Sequence, residues 1–156
     1  MNELAKSKGV GLIEVLVTVL LLATSLLAIA TLQTRSLQYS QSAYLRSQAN
    51  ILAYDIIDLM RVNRDEVKKY SLSFGDDAPT GGSLADADMS RWLTQVQAVL
   101  PDSEAAIACA DHAAGNVAVV KCTVSLRWTE KTLFGDVAED ELDDEARTTF
   151  TYSTSL

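Results

Sequence analysis

Proline is nearly absent from this chain of 156 residues. Only Pro79 and Pro101 occur, both in the second half. Nothing before Pro79 forces a helix to stop, so the stretch from Val10 to about Tyr70 is free to form one long helical segment. Cations are few: 13 Lys and Arg stand against 21 Asp and Glu, for a formal charge of −8. That balance excludes nucleic-acid binding through the bulk surface, which needs clustered positive side chains. There is one histidine, His112, and no nucleophile elbow, phosphate loop or metal-ligand pair. The expectation is a non-enzyme with no catalytic residue, no cofactor and no metal. Two cysteines, Cys109 and Cys122, allow a single disulfide at most.

What the chain does have is a long apolar run behind a short basic leader. Residues 5–20 read A-K-S-K-G-V-G-L-I-E-V-L-V-T-V-L. From Val10 to Leu32 the only charged side chain is Glu14. As a helix this run spans about 34 Å, enough for a hydrocarbon core of about 30 Å. Lys6 and Lys8 precede it and Arg35 is the first charge after it. That asymmetry keeps the leader cytoplasmic and sends the rest outward. A carboxylate inside such a run is costly without a partner or a proton.

Gly9 followed by V-G-L-I-E resembles the class III signal of type IV prepilins, G-F-T/S-L-I-E. Val10 stands where phenylalanine is usual, and Gly11 where a hydroxyl residue is usual. Gly11 is expected to weaken the first helical turn. Residues 41–64 resemble the matching stretch of PilV-type minor pilins, most tellingly L-A-Y-D-I-I-D-L-M-R from Leu52 to Arg61. The resemblance covers about the first 64 residues. It implies cleavage between Gly9 and Val10 by a prepilin peptidase, N-methylation of Val10, and a subunit-assembly role for Glu14. It also implies an α+β pilin fold, with a long N-terminal helix against a small antiparallel sheet. The layout is then a leader over 1–9, a membrane or filament-core segment over 10–32, and a periplasmic domain over 33–156. The implied partners are other minor pilins, the major pilin, the inner-membrane pilus machinery and a tip adhesin. The implied role is priming or supporting type IV pilus assembly at or near the tip, for twitching motility and adhesion.

Two alternatives stay open. Type II secretion pseudopilins share the signal and topology. Ala28-Ile29-Ala30 also resembles an ordinary signal-peptidase site, whose use would release a soluble periplasmic binding domain from Thr31.

After Leu32 the sequence becomes amphipathic, with Leu37, Tyr44, Leu52, Ile56, Leu59 and Met60 forming an apolar stripe. One helix is expected to run to about Tyr70. Ser71–Ser83, which includes G-D-D-A-P-T-G-G-S, reads as a surface loop. A helix is expected over Asp86–Leu100, with Asp86 and Asp88 at its positive end and Met89, Trp92, Leu93, Val96 and Leu100 on one face. Pro101 ends it.

Ala105–Asp111 and Val117–Trp128 read as strands, and Ala146–Ser155 as a third. If Cys109 faces Cys122, then Asp111 faces Val120 and Ala114 faces Val117. This leaves Gly115-Asn116 as a two-residue turn. One register satisfies both the turn and the cysteines, and it predicts a disulfide between adjacent strands. The third strand is expected beside the second, with Phe150 and Tyr152 on one face. The acidic run Asp136–Glu145 lacks the alternating ligands and glycine of a calcium loop, and reads as a solvated face. Asp86-Ala87-Asp88 begins like a calcium-binding loop but fails at Arg91 and Gln97.

Overall fold

The computed structural model describes residues 11–114, 117–130 and 147–156. The element order is α1 (Leu12–Val62), a 3-10 turn (Arg64–Lys69), α2 (Leu84–Val99), β1 (Glu104–Ala114), β2 (Val117–Thr129) and β3 (Arg147–Ser155). The fold class is therefore α+β: a long N-terminal helix packed on a three-stranded antiparallel sheet, with one short extra helix. The chain divides into two compact units, Met1–Ser40 and Gln41–Leu156. Every residue of the buried core, from Leu45 to Leu156, belongs to the second.

In that second unit α1 contributes Leu45, Ala49, Leu52, Ala53, Ile56, Ile57 and Met60 to the core. Their three- and four-residue steps keep one face inward. Leu37 and Tyr44, expected in the same stripe, are exposed at 72% and 59%. Tyr44 lies eight residues from Leu52, which turns it about 80° away from the buried row. The helix ends at Val62, earlier than the expected Tyr70. Asn63 leaves helical geometry at φ −106° and ψ 46°, and Glu66 breaks the following turn. This irregular stretch brings Val67 and Tyr70 into the core.

The segment expected as a surface loop over 71–83 is anchored at its start. Leu72 is buried and exchanges both backbone hydrogen bonds with Ile107, at 3.0 and 2.8 Å. Further on, Ser83 caps α2 through a reciprocal box. Its Oγ accepts from the Asp86 amide at 3.1 Å, while Asp86 Oδ2 accepts from the Ser83 amide at 3.0 Å. The Ser83 hydroxyl, which donates to the same Oδ2 at 2.6 Å, and the Ser83 amide hold the Asp86 carboxyl below its ordinary range. A Cβ at Gly81 would lie 2.1 Å from Asp86 Oδ2, so the cap needs glycine there. Met89, Trp92, Leu93, Val96 and Leu100 are all buried, as their spacing predicts. The Trp92 indole N–H donates to the Leu52 carbonyl at 2.8 Å, tying α2 to α1.

The sheet order is β1-β2-β3. The β1–β2 register sets Cys109 against Cys122, Asp111 against Val120 and Ala114 against Val117, the alignment expected from the cysteines. The expected turn residues, Gly115 and Asn116, lie outside the described residues. β3 pairs with β2, and Phe150 and Tyr152 are half-buried while Thr149 and Thr151 are exposed. Cys109 and Cys122 are joined in a disulfide, with Cα atoms 4.1 Å apart. Ladder parity accounts for that closeness. Val120 and Leu156 exchange both backbone bonds, so Cys122 also bonds toward the β3 side and faces Cys109 as a non-hydrogen-bonded pair.

Three contacts show how α1 lies on the sheet within this unit. Ser42 donates to Glu130 at 2.9 Å, the Tyr54 and Tyr152 rings are 4.8 Å apart, and Met60 Sδ lies 3.9 Å from Cys109 Sγ. Their order matches β2 read backwards, so α1 runs along the strands in the direction of β3.

Replacing both cysteines with alanine is expected to lower the unfolding free energy by up to about 3 kcal/mol, because the bridge closes a short loop in the unfolded chain. Urea unfolding of the full chain in detergent checks this. Equal midpoints for the two proteins would show that the bridge contributes nothing.

Candidate functional site

Of the residues that the sequence singles out at the amino terminus, Gly9 and Val10 lie outside the described residues. Glu14 is within them, in the first turn of α1. Gly11 precedes the helix, and its carbonyl accepts from the Glu14 amide at 2.9 Å. The expected cost of glycine inside the first turn does not arise, because Gly11 occupies the N-cap, where glycine is well tolerated. Glu14 sits three residues on, where the helix dipole favours an anion.

The surface around Glu14 is unusual. Every side chain from residue 11 to residue 33 is exposed. Leu12 is 80% exposed, Ile13 75% and Leu27 69%. Soluble helices bury at least one such face. The helix is long and apolar enough to cross a membrane. Its hydroxyls fit that environment too. Thr18, Thr24, Ser25, Thr31 and Thr34 each donate to a carbonyl three or four residues back, at 2.7 to 3.1 Å. These are all the hydroxyl side chains between Leu12 and Thr34, so their polarity is satisfied inside the helix. The Glu14 carboxylate has no hydrogen-bond or ion-pair partner among the described residues. The arrangement is an apolar cylinder with one anion at its start and no cation among the described residues before Arg35.

The second unit holds two polar clusters. Glu104 on β1 accepts from Arg127 on β2 at 2.9 Å and also from Arg147 on β3. The Phe74 ring covers the Arg127 guanidinium at 4.2 Å. The Arg147 and Arg127 guanidinium groups hold the Glu104 carboxyl below its ordinary range. One carboxylate thus ties all three strands at the end remote from the disulfide. The second cluster is buried. The Tyr70 hydroxyl donates to Asp88 Oδ2 at 2.7 Å, and Asn63 donates to Tyr70 at 3.4 Å. Burial pushes the Tyr70 hydroxyl up to about 12, and the Asp88 carboxylate adds to the rise.

Sequence reasoning missed both clusters. Glu104 faces Arg127 in the same register that aligns the cysteines. Asp88 stands three residues after buried Ala85 and four before Trp92, so it points inward and not toward the helix start. His112 is exposed. The acidic run Asp136–Glu145 lies outside the described residues. Comparison of the chain with models of known families, with functionally described proteins and with solved structures gives no match.

Because Glu104 titrates lower in the folded chain than in the unfolded one, its ion pairs stabilise fully above the unfolded value of about 4.3. That stabilisation is lost as pH falls through the folded value. Stability of the wild-type chain is therefore expected to fall more steeply below about pH 5 than that of Glu104→Gln. Denaturant titrations across that range test it, and parallel pH profiles would contradict the role given to the cluster.

Proposed function

We propose that the protein is a PilV-type minor pilin that primes or supports type IV pilus assembly at or near the filament tip. It would thereby serve twitching motility and attachment. The observation that carries this reading is the exposed apolar stretch of α1 over residues 12–32, whose only charge, Glu14, is the last residue of a G-V-G-L-I-E signal. The PilV-like stretch from Leu52 to Arg61 and the helix-on-sheet arrangement support it.

On this reading a prepilin peptidase removes residues 1–9, and the new amine at Val10 is methylated. Residues 10–32 hold the protein in the inner membrane, and residues 33–156 form a pilin-fold domain in the periplasm. That compartment is oxidising, which suits the Cys109–Cys122 bond. Val10 and Glu14 are four residues apart in the sequence. In a filament the Glu14 carboxylate meets the methylated amine of a neighbouring pilin. Each charge is expensive alone in apolar surroundings, and the pair satisfies both. The apolar cylinder then trades lipid for the helices of other minor pilins and the major pilin. The inner-membrane machinery carries out the transfer, and a tip adhesin is a further partner.

Glu14→Ala is expected to leave membrane insertion intact and to reduce incorporation into sheared surface pili at least tenfold. Quantitative immunoblots of membrane and pilus fractions measure both. Normal incorporation would refute the charge-pairing mechanism. N-terminal sequencing of the mature protein is expected to start at Val10, whereas a start at Thr31 would refute the pilin reading. Loss of protein secretion with intact pili, on deletion, would assign the chain to a secretion pseudopilus.

A further inference from the structure

β3 is the last strand of the sheet on its side, and its outer edge is open among the described residues. Ladder parity says which groups line that edge. Leu156 and Val120 exchange two backbone bonds, with N–H to O distances of 2.8 and 3.2 Å. Alternation then directs the amides and carbonyls of Thr154, Tyr152, Phe150 and Thr148 toward β2. The amides and carbonyls of Arg147, Thr149, Thr151, Ser153 and Ser155 point the other way. None of these five is proline, so each offers both a donor and an acceptor.

Among the described residues nothing guards this edge. Isolated edge strands are normally blunted by lysine, proline, a bulge or a covering segment. The sequence R-T-T-F-T-Y-S-T-S has one charge, Arg147, and its guanidinium is taken by Glu104. The opposite edge is treated differently. On β1, Ile107 is paired with Leu72, and Asp111 forms an ion pair with Lys68 at 2.7 Å.

An apolar shelf lies beside the open edge. Tyr54 touches Tyr152 and remains 42% exposed, and Ile51, three residues earlier on the same helix face, is 51% exposed. Phe150 and Tyr152 are half-buried at the rim. A strand added to β3 would bury its inward side chains against these four residues. Its outward side chains would meet Thr149, Thr151 and Ser153. Hydroxyl pairs already link β2 and β3 on that face, Thr123 with Ser153 at 2.9 Å and Ser125 with Thr151 at 3.2 Å.

We propose that the outer edge of β3 is a docking site for an extended segment of another protein, which adds a fourth strand to the sheet. The segment is uncharged and matches β3 in length. It carries apolar side chains at alternate positions, toward Phe150, Tyr152, Tyr54 and Ile51, and small hydroxyl residues between them. Backbone bonding supplies the attachment and the shelf supplies the selection. A second copy of this chain fits less well. Antiparallel pairing of two β3 strands about a two-fold axis reverses every direction in the sheet plane. It would run the Leu45–Met60 stretches of the two α1 helices in opposite directions, whereas on the proposed reading both chains leave one bilayer the same way.

Amide exchange on the full chain in detergent micelles tests this, with a capped nonapeptide of alternating valine and threonine as the probe. Without peptide, the amides of Thr149, Thr151 and Ser153 are expected to exchange freely while those of Thr148, Phe150, Tyr152 and Thr154 are protected. Saturating peptide is expected to slow the first set at least tenfold. Thr151→Pro removes one outward amide and the hydroxyl pair with Ser125 but leaves the backbone bonds of the β2–β3 ladder in place, and is expected to weaken peptide binding at least tenfold. If that variant loses the alternating pattern and so its fold, Thr151→Lys places a charge at the same point of the edge, and the same loss is expected. The proposal is overturned if the outward amides are protected in the free monomer, or if binding is unchanged in the folded variant. It is also overturned if the chain instead self-associates through β3.

Discussion

A helix of about twenty consecutive apolar residues cannot face water on all sides, and residues 11–33 find no cover among the described residues of this chain. That constraint governs how the amino-terminal unit must be read. The hydroxyls along the helix bond to its own carbonyls, so they place no demand on the surroundings. Glu14 alone does. Its position in the first turn keeps the one unsatisfied group at the end of the apolar segment, where the helix dipole already favours an anion.

The second unit solves a different problem. It must make a stable domain from three strands and two helices. The inner face of the sheet and the inward face of α1 enclose one core, with Trp92 and Trp128 both buried at about 1% exposure or less. The disulfide secures the β1–β2 pair midway along β1, and the Glu104 cluster secures all three strands at the end away from the hairpin. Between them the ladder alone holds the sheet. Inside the domain Tyr70 is matched with Asp88 and the Trp92 indole with the Leu52 carbonyl, while the buried Trp128 indole nitrogen has no hydrogen-bond partner among the described residues.

Much of this was legible in the residues, for identifiable reasons. The strand register could be read because two independent features, the cysteine spacing and the two-residue turn, agree on it. The α2 face could be read because its apolar residues recur at helical spacing and Pro101 ends it. The end of α1 could not. No proline or glycine marks Asn63, and the break arises because Val67 and Tyr70 are drawn into the core. The apolar stripe of α1 was read one position out of phase at Tyr44, since a step of eight residues looks helical while drifting off the face. Leu72 was hidden among turn residues, and its burial comes from a bridge to a strand 35 residues away that no local pattern announces. At the candidate site only Glu14 is described. Its apolar setting follows directly from composition, whereas Gly11 as a cap depends on where the helix starts.

The alignment of α1 with the strands has a mechanical consequence. A load applied along the domain portion of that helix, Leu45–Met60, runs parallel to β1, β2 and β3, at right angles to the hydrogen bonds between them. Such a load shears the ladder, so the bonds resist together and do not open one after another. The covalent tie between Cys109 and Cys122 then stops β1 from sliding past β2 altogether. Among the three strands, β3 alone depends on non-covalent grip, which makes its junction with β2 the place where tension would first find slack.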